Sequence, residues 1–176
     1  MKMFEFALDV ERSGRDFYQR MAQESREPGV QRIFAMMADE ERQLLKQLSA
    51  LRKQSKRHGM HDTEMFSQED NVYRRLQPEQ LRAEIHDDMD AYHLIIDMVE
   101  EVCQVYEQRA EEMSDPELRQ DLMEILHRER DELEELLLLY DFANAPNESL
   151  AWGEFSNLGE YPRFGHESEA DREAVH

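Results

Sequence analysis

The strongest constraint on the fold is one acid placed within an apolar helical stripe. Between residues 34 and 48, apolar side chains recur at the spacing of an α-helix, namely Phe34, Met37, Leu44, Leu45 and Leu48. Glu41 falls inside this stripe. A carboxylate on a core-facing surface is costly unless it is paired, protonated or bound to a metal ion. The stripe therefore predicts a long helix that buries Glu41 for a chemical reason.

The composition indicates an all-α protein. The chain has 176 residues, enough for one domain with a substantial core, and only 6 Gly and 5 Pro beside many good helix formers. The net charge of −20 argues against binding to nucleic acid or to an anionic membrane. Cys103 is the single cysteine, which excludes an internal disulfide and a Cys-x-x-Cys metal site. No signal peptide or apolar run of membrane-spanning length is visible, and we expect a cytoplasmic protein.

Four long helices are predicted, at about 2–26, 28–56, 78–113 and from 116 to near 144–146. They form two helical hairpins, about 2–57 and 78–143, within a bundle domain that spans residues 1–145. A crossover of ~20 residues between helices 2 and 3 is long for neighbouring antiparallel helices. It suits helices that are joined along the full length of a four-helix bundle.

The C-terminal part of the chain differs in character. Residues 146–176 begin with aromatic and apolar side chains interspersed with Gly and Pro, namely Trp152, Phe155, Leu158, Tyr161 and Phe164. We expect an irregular arm that packs on the bundle or docks a partner. Beyond Gly165 the sequence becomes acidic and polar, which predicts disorder at that end.

The two hairpins resemble each other when the chain is shifted by 88 residues. The matched pairs are Tyr18 and Tyr106, Ala22 and Ala110, Pro28 and Pro116, and Glu41 and Glu129. Glu11 aligns with Val99, and Leu44 aligns with Glu132, so the pattern of acids is only partly symmetric. The repeat predicts that Glu41 and Glu129 face the same interior.

Carboxylates that project inward from the helices of a bundle are the ligands of dinuclear iron or manganese sites. The usual set is a Glu from each of two helices and Glu-x-x-His from each of the other two. Hard cations prefer oxygen ligands, and the i, i+3 spacing places both residues of a Glu-x-x-His pair on one helical face. Salt-bridged or protonated acids in a bundle without metal are the alternative explanation.

Three stretches resemble the rubrerythrins, a family of the ferritin-like superfamily. They are Phe34-Ala35-x-x-Ala38-Asp39-x-Glu41-Arg42, Glu11 with Phe17-Tyr18, and Asp115-Pro116-Glu117-Leu118 leading to Glu129. The resemblance covers about residues 3–142. It implies a four-helix bundle with a central dinuclear metal site, used for peroxide reduction or iron oxidation and often found in homodimers.

The sequence departs from the family pattern at several ligand positions. The second-helix histidine falls on Leu44, and the fourth-helix histidine falls on Glu132, which can bind a metal. The third-helix glutamate falls on Val99, although Glu100 adjoins it and lies four residues after Ile96. The four cysteines of a rubredoxin domain are absent. The resemblance thus implies a metal site of Glu11, Glu41, Glu129 and Glu132, with Glu100 as a conditional fifth ligand.

Two functions follow from this set. In the first, the bundle holds a dinuclear iron centre that reacts with a small oxidant such as peroxide; without histidine the set is harder, and manganese or another divalent cation becomes an alternative to iron. In the second, the site is degenerate and empty, and the bundle is a structural or interaction module that docks a partner through the C-terminal arm. Val99 and Leu44 favour the second function, and the repeated acids favour the first.

Other candidate residues have two explanations each. A stripe of His86, Asp90, His93 and Asp97 on the third helix could bind a transition metal, although a solvated face explains it more simply. Tyr18 and Tyr106 could donate hydrogen bonds to the site acids, or could serve only in packing.

Overall fold

The computed structural model describes residues 1–57 and 65–158, and side chains within 1–55 and 65–145. These residues contain six helices and no strand, which confirms the predicted all-α fold. The helices are α1 (Met3–Glu24), α2 (Pro28–Arg57), α3 (Val72–Arg75), α4 (Pro78–Glu84), α5 (Asp88–Glu112) and α6 (Pro116–Leu158), with a 3₁₀ turn at Gln68–Asp70. Within the described part of the chain, no helix is long and apolar enough to cross a membrane.

The chain divides into two units, Met1–Asp141 and Phe142–His176. The first unit is a four-helix bundle made of two hairpins, α1–α2 and α5–α6. Arg128 Nη1 on α6 donates to Gln47 Oε1 on α2 at 2.6 Å, and Arg130 on α6 forms an ion pair with Glu107 on α5. These contacts link the second helix of one hairpin to the other hairpin, and link α5 to α6.

The predicted repeat is visible in the helix bounds. α2 begins at Pro28 and α6 at Pro116, while α1 ends at Glu24 and α5 at Glu112, so both pairs are 88 residues apart. Proline suits the first turn of a helix because its missing N–H has no helical partner there. The Asp115 carboxylate accepts hydrogen bonds from the N–H groups at positions 117 and 118, at 2.9 and 3.2 Å, which caps α6.

The core of the first unit follows the predicted stripes. Its largest fully buried side chains belong to all four long helices and include Tyr18, Tyr106, Phe6, Phe34, Met37, Leu48, Ile95, Leu122 and Ile125. Each such side chain contributes roughly 1.5–3 kcal/mol by leaving water. The two hairpins therefore close around one apolar interior, and any acid that enters it is surrounded by low-dielectric packing.

The single third helix predicted over 78–113 is wrong at its start. The structure breaks it between Glu84 and Asp88, because acidic side chains take over the backbone N–H groups at the break. Asp87 accepts from the N–H of Asp90 at 2.9 Å, and the Asp90 carboxylate accepts from the N–H of His86 at 2.8 Å. Aspartate at an N-cap position starts a new helix in this way.

The predicted end of the fourth helix near 144–146 is also wrong. α6 continues through Pro146 to Leu158, so residues 147–158, expected to be irregular, are helical. Proline inside a helix costs about 3 kcal/mol, and the helix nevertheless continues through Ala145-Pro146-Asn147. The remainder of the predicted C-terminal arm lies outside the described residues.

The described part of the crossover is attached to two long helices. Arg74 on α3 donates to both carboxylate oxygens of Asp9 on α1, at 2.8 and 2.6 Å. On the other side, Arg75 forms an ion pair with Glu101 on α5. The short helix α3 is thereby fixed between α1 and α5, close to the middle of the bundle.

Candidate metal centre

Four glutamates enter the interior of the first unit. Glu11 on α1 is 1 % exposed, Glu41 on α2 is 3 % exposed, and Glu129 on α6 is 5 % exposed. Glu132, one turn after Glu129, is half-buried, and its Oε1 atom is closed off from solvent. Glu41 and Glu129 occupy equivalent positions in the two hairpins. All four are acids that the sequence assigned to the site.

The four carboxyl groups interact directly. Glu41 and Glu129 both lie within hydrogen-bonding reach of Glu11, and the charge of Glu132 acts on both Glu11 and Glu41. Among the described residues, no N–H or hydroxyl donor reaches Glu11 Oε1, Glu41 Oε2 or Glu132 Oε1. A buried polar atom without a donor costs roughly 1–3 kcal/mol, so this arrangement is expensive for the protein alone.

Burial raises the pKa of all four carboxyl groups well above the usual value. Desolvation is the largest cause in each case. The second cause is the neighbouring negative charge, from Glu41 for Glu11, from Glu11 for Glu129, and from Glu129 for Glu132. Without a counter-ion the cluster therefore retains protons. A bound cation reverses the balance, because its positive charge stabilises the carboxylates.

Tyr73 is a site residue that sequence reasoning missed. It lies on the short helix α3 of the crossover, and its hydroxyl donates to Glu41 Oε1 at 3.3 Å. The Tyr18 and Tyr73 hydroxyl oxygens are 3.0 Å apart. Since the single proton of Tyr73 goes to Glu41, Tyr18 donates to Tyr73. The one signal in the sequence was the apolar pair Val72-Tyr73 within a polar stretch.

Gly14 makes room for this contact. A Cβ atom at Gly14 would lie 2.6 Å from Glu41 Oε1 and 2.9 Å from Tyr73 Cζ, closer than real Cβ contacts allow. Gly14 stands three residues after Glu11 on the same face of α1. Glycine within a helix costs about 0.5–1 kcal/mol relative to alanine. A glycine in the middle of a predicted helix was therefore the sequence signal for this close contact.

The two repeated tyrosines adjoin the acids. Tyr18 and Tyr106 are both fully buried. After desolvation, the charges of Glu129 and Glu11 raise the pKa of Tyr106, and the charge of Glu41 raises that of Tyr18. The Tyr106 hydroxyl makes no hydrogen bond, whereas Tyr18 reaches Tyr73. The two halves of the site are therefore unequal in their polar contacts.

Other predicted positions lie outside the cluster. Glu100 is exposed. Val99 is 2 % exposed and Leu44 is half-buried, and both are apolar, so these two positions offer neither a histidine nor a further buried acid. On α5, His93 Nε2 lies 3.0 Å from the Tyr140 hydroxyl, and His86 Nδ1 lies 3.4 Å from an Asp90 oxygen. This second stripe is engaged in surface contacts.

The donor set can be tested against a hard cation. Across residues 1–57 and 65–158, no group of three or more His, Cys, Asp or Glu is arranged closely enough to hold a metal ion as the side chains stand. Yet three buried carboxyl oxygens lack donors, and all available ligand atoms are oxygens, which hard cations prefer. The residues fit such a cation in the chemistry of their donor atoms. Leu44 and Val99 leave four protein ligands where the usual dinuclear set has six, and binding would require the carboxyl groups to rotate away from one another.

Fold and site together define a four-helix bundle of the ferritin-like kind with a carboxylate-rich interior. Comparison with known families gives a match over residues 2–140 to the model described as Rubrerythrin. The chain belongs to the rubrerythrin family, and membership supports a di-iron-binding protein of the ferritin-like kind. Neither curated proteins nor solved structures give a match.

Proposed function

We propose that this protein binds a dinuclear iron centre through Glu11, Glu41, Glu129 and Glu132. The observation that carries the proposal is the set of three buried carboxyl oxygens without donors, on three helices that converge in one apolar interior. Burying several acids together is unfavourable for folding by itself. Cation binding would give this cluster a purpose, and membership of the rubrerythrin family supports iron as the cation.

The residues of the chain have distinct tasks in this proposal. Glu41 and Glu129 occupy equivalent places in the two hairpins and would each supply a carboxylate to the metal. Glu11 lies within reach of both and would supply a third carboxylate once it is deprotonated. Glu132 stands where the family has histidine and supplies an oxygen in place of a nitrogen. The surrounding apolar side chains exclude water and strengthen each charge interaction.

When bound, a pair of ferrous ions would supply the two electrons that reduce hydrogen peroxide, with two protons, to two water molecules. The protein offers no competing thiol route. Burial raises the pKa of Cys103 to about 12, so the thiol stays protonated. A protonated buried thiol is a poor nucleophile towards peroxide.

A second function is supported by specific observations. Leu44 and Val99 replace expected ligands, and the described carboxyl groups do not stand in a metal-holding arrangement. On these grounds, a non-catalytic bundle with a degenerate site remains the alternative. The two functions differ in what the purified protein contains.

Elemental analysis of the protein purified without chelators separates the two functions. The matched variants are the double change Glu41→Ala, Glu129→Ala and the control Glu111→Ala, Glu117→Ala, which removes two carboxyl groups from exposed positions. We expect iron in the parent and control and near-background metal in the site variant. Peroxide added to ferrous-loaded parent then produces the ferric absorbance. Background metal in the parent would contradict the proposal and favour the structural bundle.

A further inference from the structure

The crossover sends one polar side chain into the bundle interior. Tyr73 is 7 % exposed, and its ring lies against Phe17 and Tyr18, with centroids 6.1 and 5.6 Å away. Neighbouring residues on the same one-turn helix point to the surface and form ion pairs. The crossover is therefore more than a connection, because it supplies a buried hydroxyl to the carboxylate cluster.

Contacts on both sides of Tyr73 fix this segment. Towards α1, Asn71 Nδ2 donates to Asp9 Oδ2 at 2.9 Å and to Ser13 Oγ at 3.2 Å, and Arg74 donates to Asp9. Towards α5, Arg109 Nη2 donates to both oxygens of Asp70, at 3.0 and 3.1 Å. Asn71 is fully buried. A segment held at two helices carries its tyrosine in one place, which is what a precise hydrogen bond needs.

The hydroxyl distinguishes the two oxygens of Glu41. Oε1 accepts from Tyr73, while Oε2 has no N–H or hydroxyl donor. Tyr18 in turn donates to Tyr73, which gives a directed chain from Tyr18 through Tyr73 to Glu41. Gly14 leaves the space in which Oε1 sits. Together these contacts fix the carboxyl plane with one oxygen occupied and the other available.

Glu129, the repeat counterpart, has no such support. The Tyr106 hydroxyl, counterpart of Tyr18, makes no hydrogen bond, and no crossover residue in the described part of the chain donates to Glu129. The carboxyl of Glu41 is therefore fixed by a hydroxyl, while no hydroxyl in the described part of the chain contacts that of Glu129. This inequality arises from the crossover, which touches one hairpin's acid and not the other's.

We propose that Tyr73 is a positioning residue that fixes Glu41 through Oε1 and presents Oε2 as the metal-binding oxygen. The inference rests on the proposed function for the metal, although the contact itself exists without one. Hydrogen-bond partners of metal ligands typically change metal affinity by about 10- to 100-fold. Tyr73 is the hydrogen-bond partner of Glu41, and it lies on a segment outside the four long helices.

The first test is manganese binding, because Mn²⁺ is a redox-silent hard cation that can be titrated at equilibrium. Tyr73→Phe removes one oxygen and keeps the ring. Tyr92→Phe is the matched control, since Tyr92 is a nearly buried tyrosine on α5 whose electrostatic neighbour is Asp88 rather than a site acid. We expect Tyr73→Phe to weaken Mn²⁺ binding by about tenfold or more and Tyr92→Phe to leave it unchanged. Parental affinity in Tyr73→Phe would overturn the inference.

A second measurement reads the contact without metal. Urea unfolding of the metal-free parent, Tyr73→Phe, Glu41→Leu and the double variant forms a double-mutant cycle. We expect the two changes to be coupled by about a five- to tenfold factor in the unfolding equilibrium constant. Additive effects would overturn the positioning role whether or not metal binds. Coupling together with no Mn²⁺ binding by the parent would instead refute the proposed function and, with it, the presentation of Oε2 to a metal.

Discussion

Gly14→Ala tests the packing of the site most sharply, because it adds one methyl group where the structure leaves none. The new Cβ atom would lie 2.6 Å from Glu41 Oε1, 3.0 Å from Glu41 Cδ and 2.9 Å from Tyr73 Cζ. Ordinary contact begins at 3.4 Å, so the Glu41 oxygen must retreat by about 0.8 Å. Glu41 is 3 % exposed and Tyr73 is 7 % exposed, so neither has free space to enter.

Two opposing effects set the magnitude. Alanine in the middle of a helix is favoured over glycine by about 1 kcal/mol. Extra atoms forced into a packed core cost roughly 1–3 kcal/mol. The net expectation for Gly14→Ala is a loss of about 0–2 kcal/mol in the free energy of unfolding, instead of the gain that an open helix position would give.

Urea denaturation of the metal-free protein, followed by circular dichroism, measures this change. A matched variant pairs Gly14→Ala with Glu41→Ala, which removes the closest of the three contacts. We expect the cost of Gly14→Ala to shrink in that background. Stabilisation of the parent by about 1 kcal/mol on Gly14→Ala would refute the placement of Glu41 and Tyr73 against α1.

Three further results are expected. Because burial raises the pKa of the four acids well above the usual value of 4.5, the folded state holds more protons than the unfolded state above that pH. The metal-free protein should therefore lose stability as pH rises above about 4.5, and less so with Glu11→Gln and Glu129→Gln; a pH-independent difference between these proteins would contradict the buried cluster. Replacing Glu41 by Leu should stabilise the metal-free protein at neutral pH by about 1–4 kcal/mol in thermal unfolding, because it replaces a buried, incompletely hydrogen-bonded carboxyl group with an apolar side chain. The same change should abolish metal-dependent stabilisation; destabilisation without metal would be contrary evidence. Arg74→Ala should cost about 1 kcal/mol or less in stability, since the ion pair with Asp9 is partly exposed. It should also weaken Mn²⁺ binding, because it loosens the crossover segment that carries Tyr73. Unchanged binding would show that this ion pair of the crossover is not needed to place Tyr73.

The sequence located the buried acids because their signal is local. Glu41 interrupts an apolar stripe, and Glu129 repeats it 88 residues later beside a matching Pro116, so periodicity alone places both on core-facing positions. The family and the bundle could be predicted for the same reason, since helix starts and apolar helical stripes are short-range sequence patterns.

Features that depend on contacts between distant segments could not be predicted from the sequence. Tyr73 enters the site only because residues such as Arg74 and Asn71 bind Asp9, more than 60 positions earlier in the chain. The break before Asp88 depends on which acid captures a backbone N–H, and the apolar residues on either side of it suggested one continuous helix. In both cases side-chain hydrogen bonds override the pattern read from hydrophobic spacing.

The central claim is that the buried carboxyl cluster exists to bind two metal ions. Anaerobic equilibrium dialysis against ferrous iron, with the bound metal counted per chain, tests it most directly. We expect about two ions to be retained per chain in the parent and both to be lost in the Glu41→Ala, Glu129→Ala variant. Retention by the parent no greater than that of the variant would contradict it.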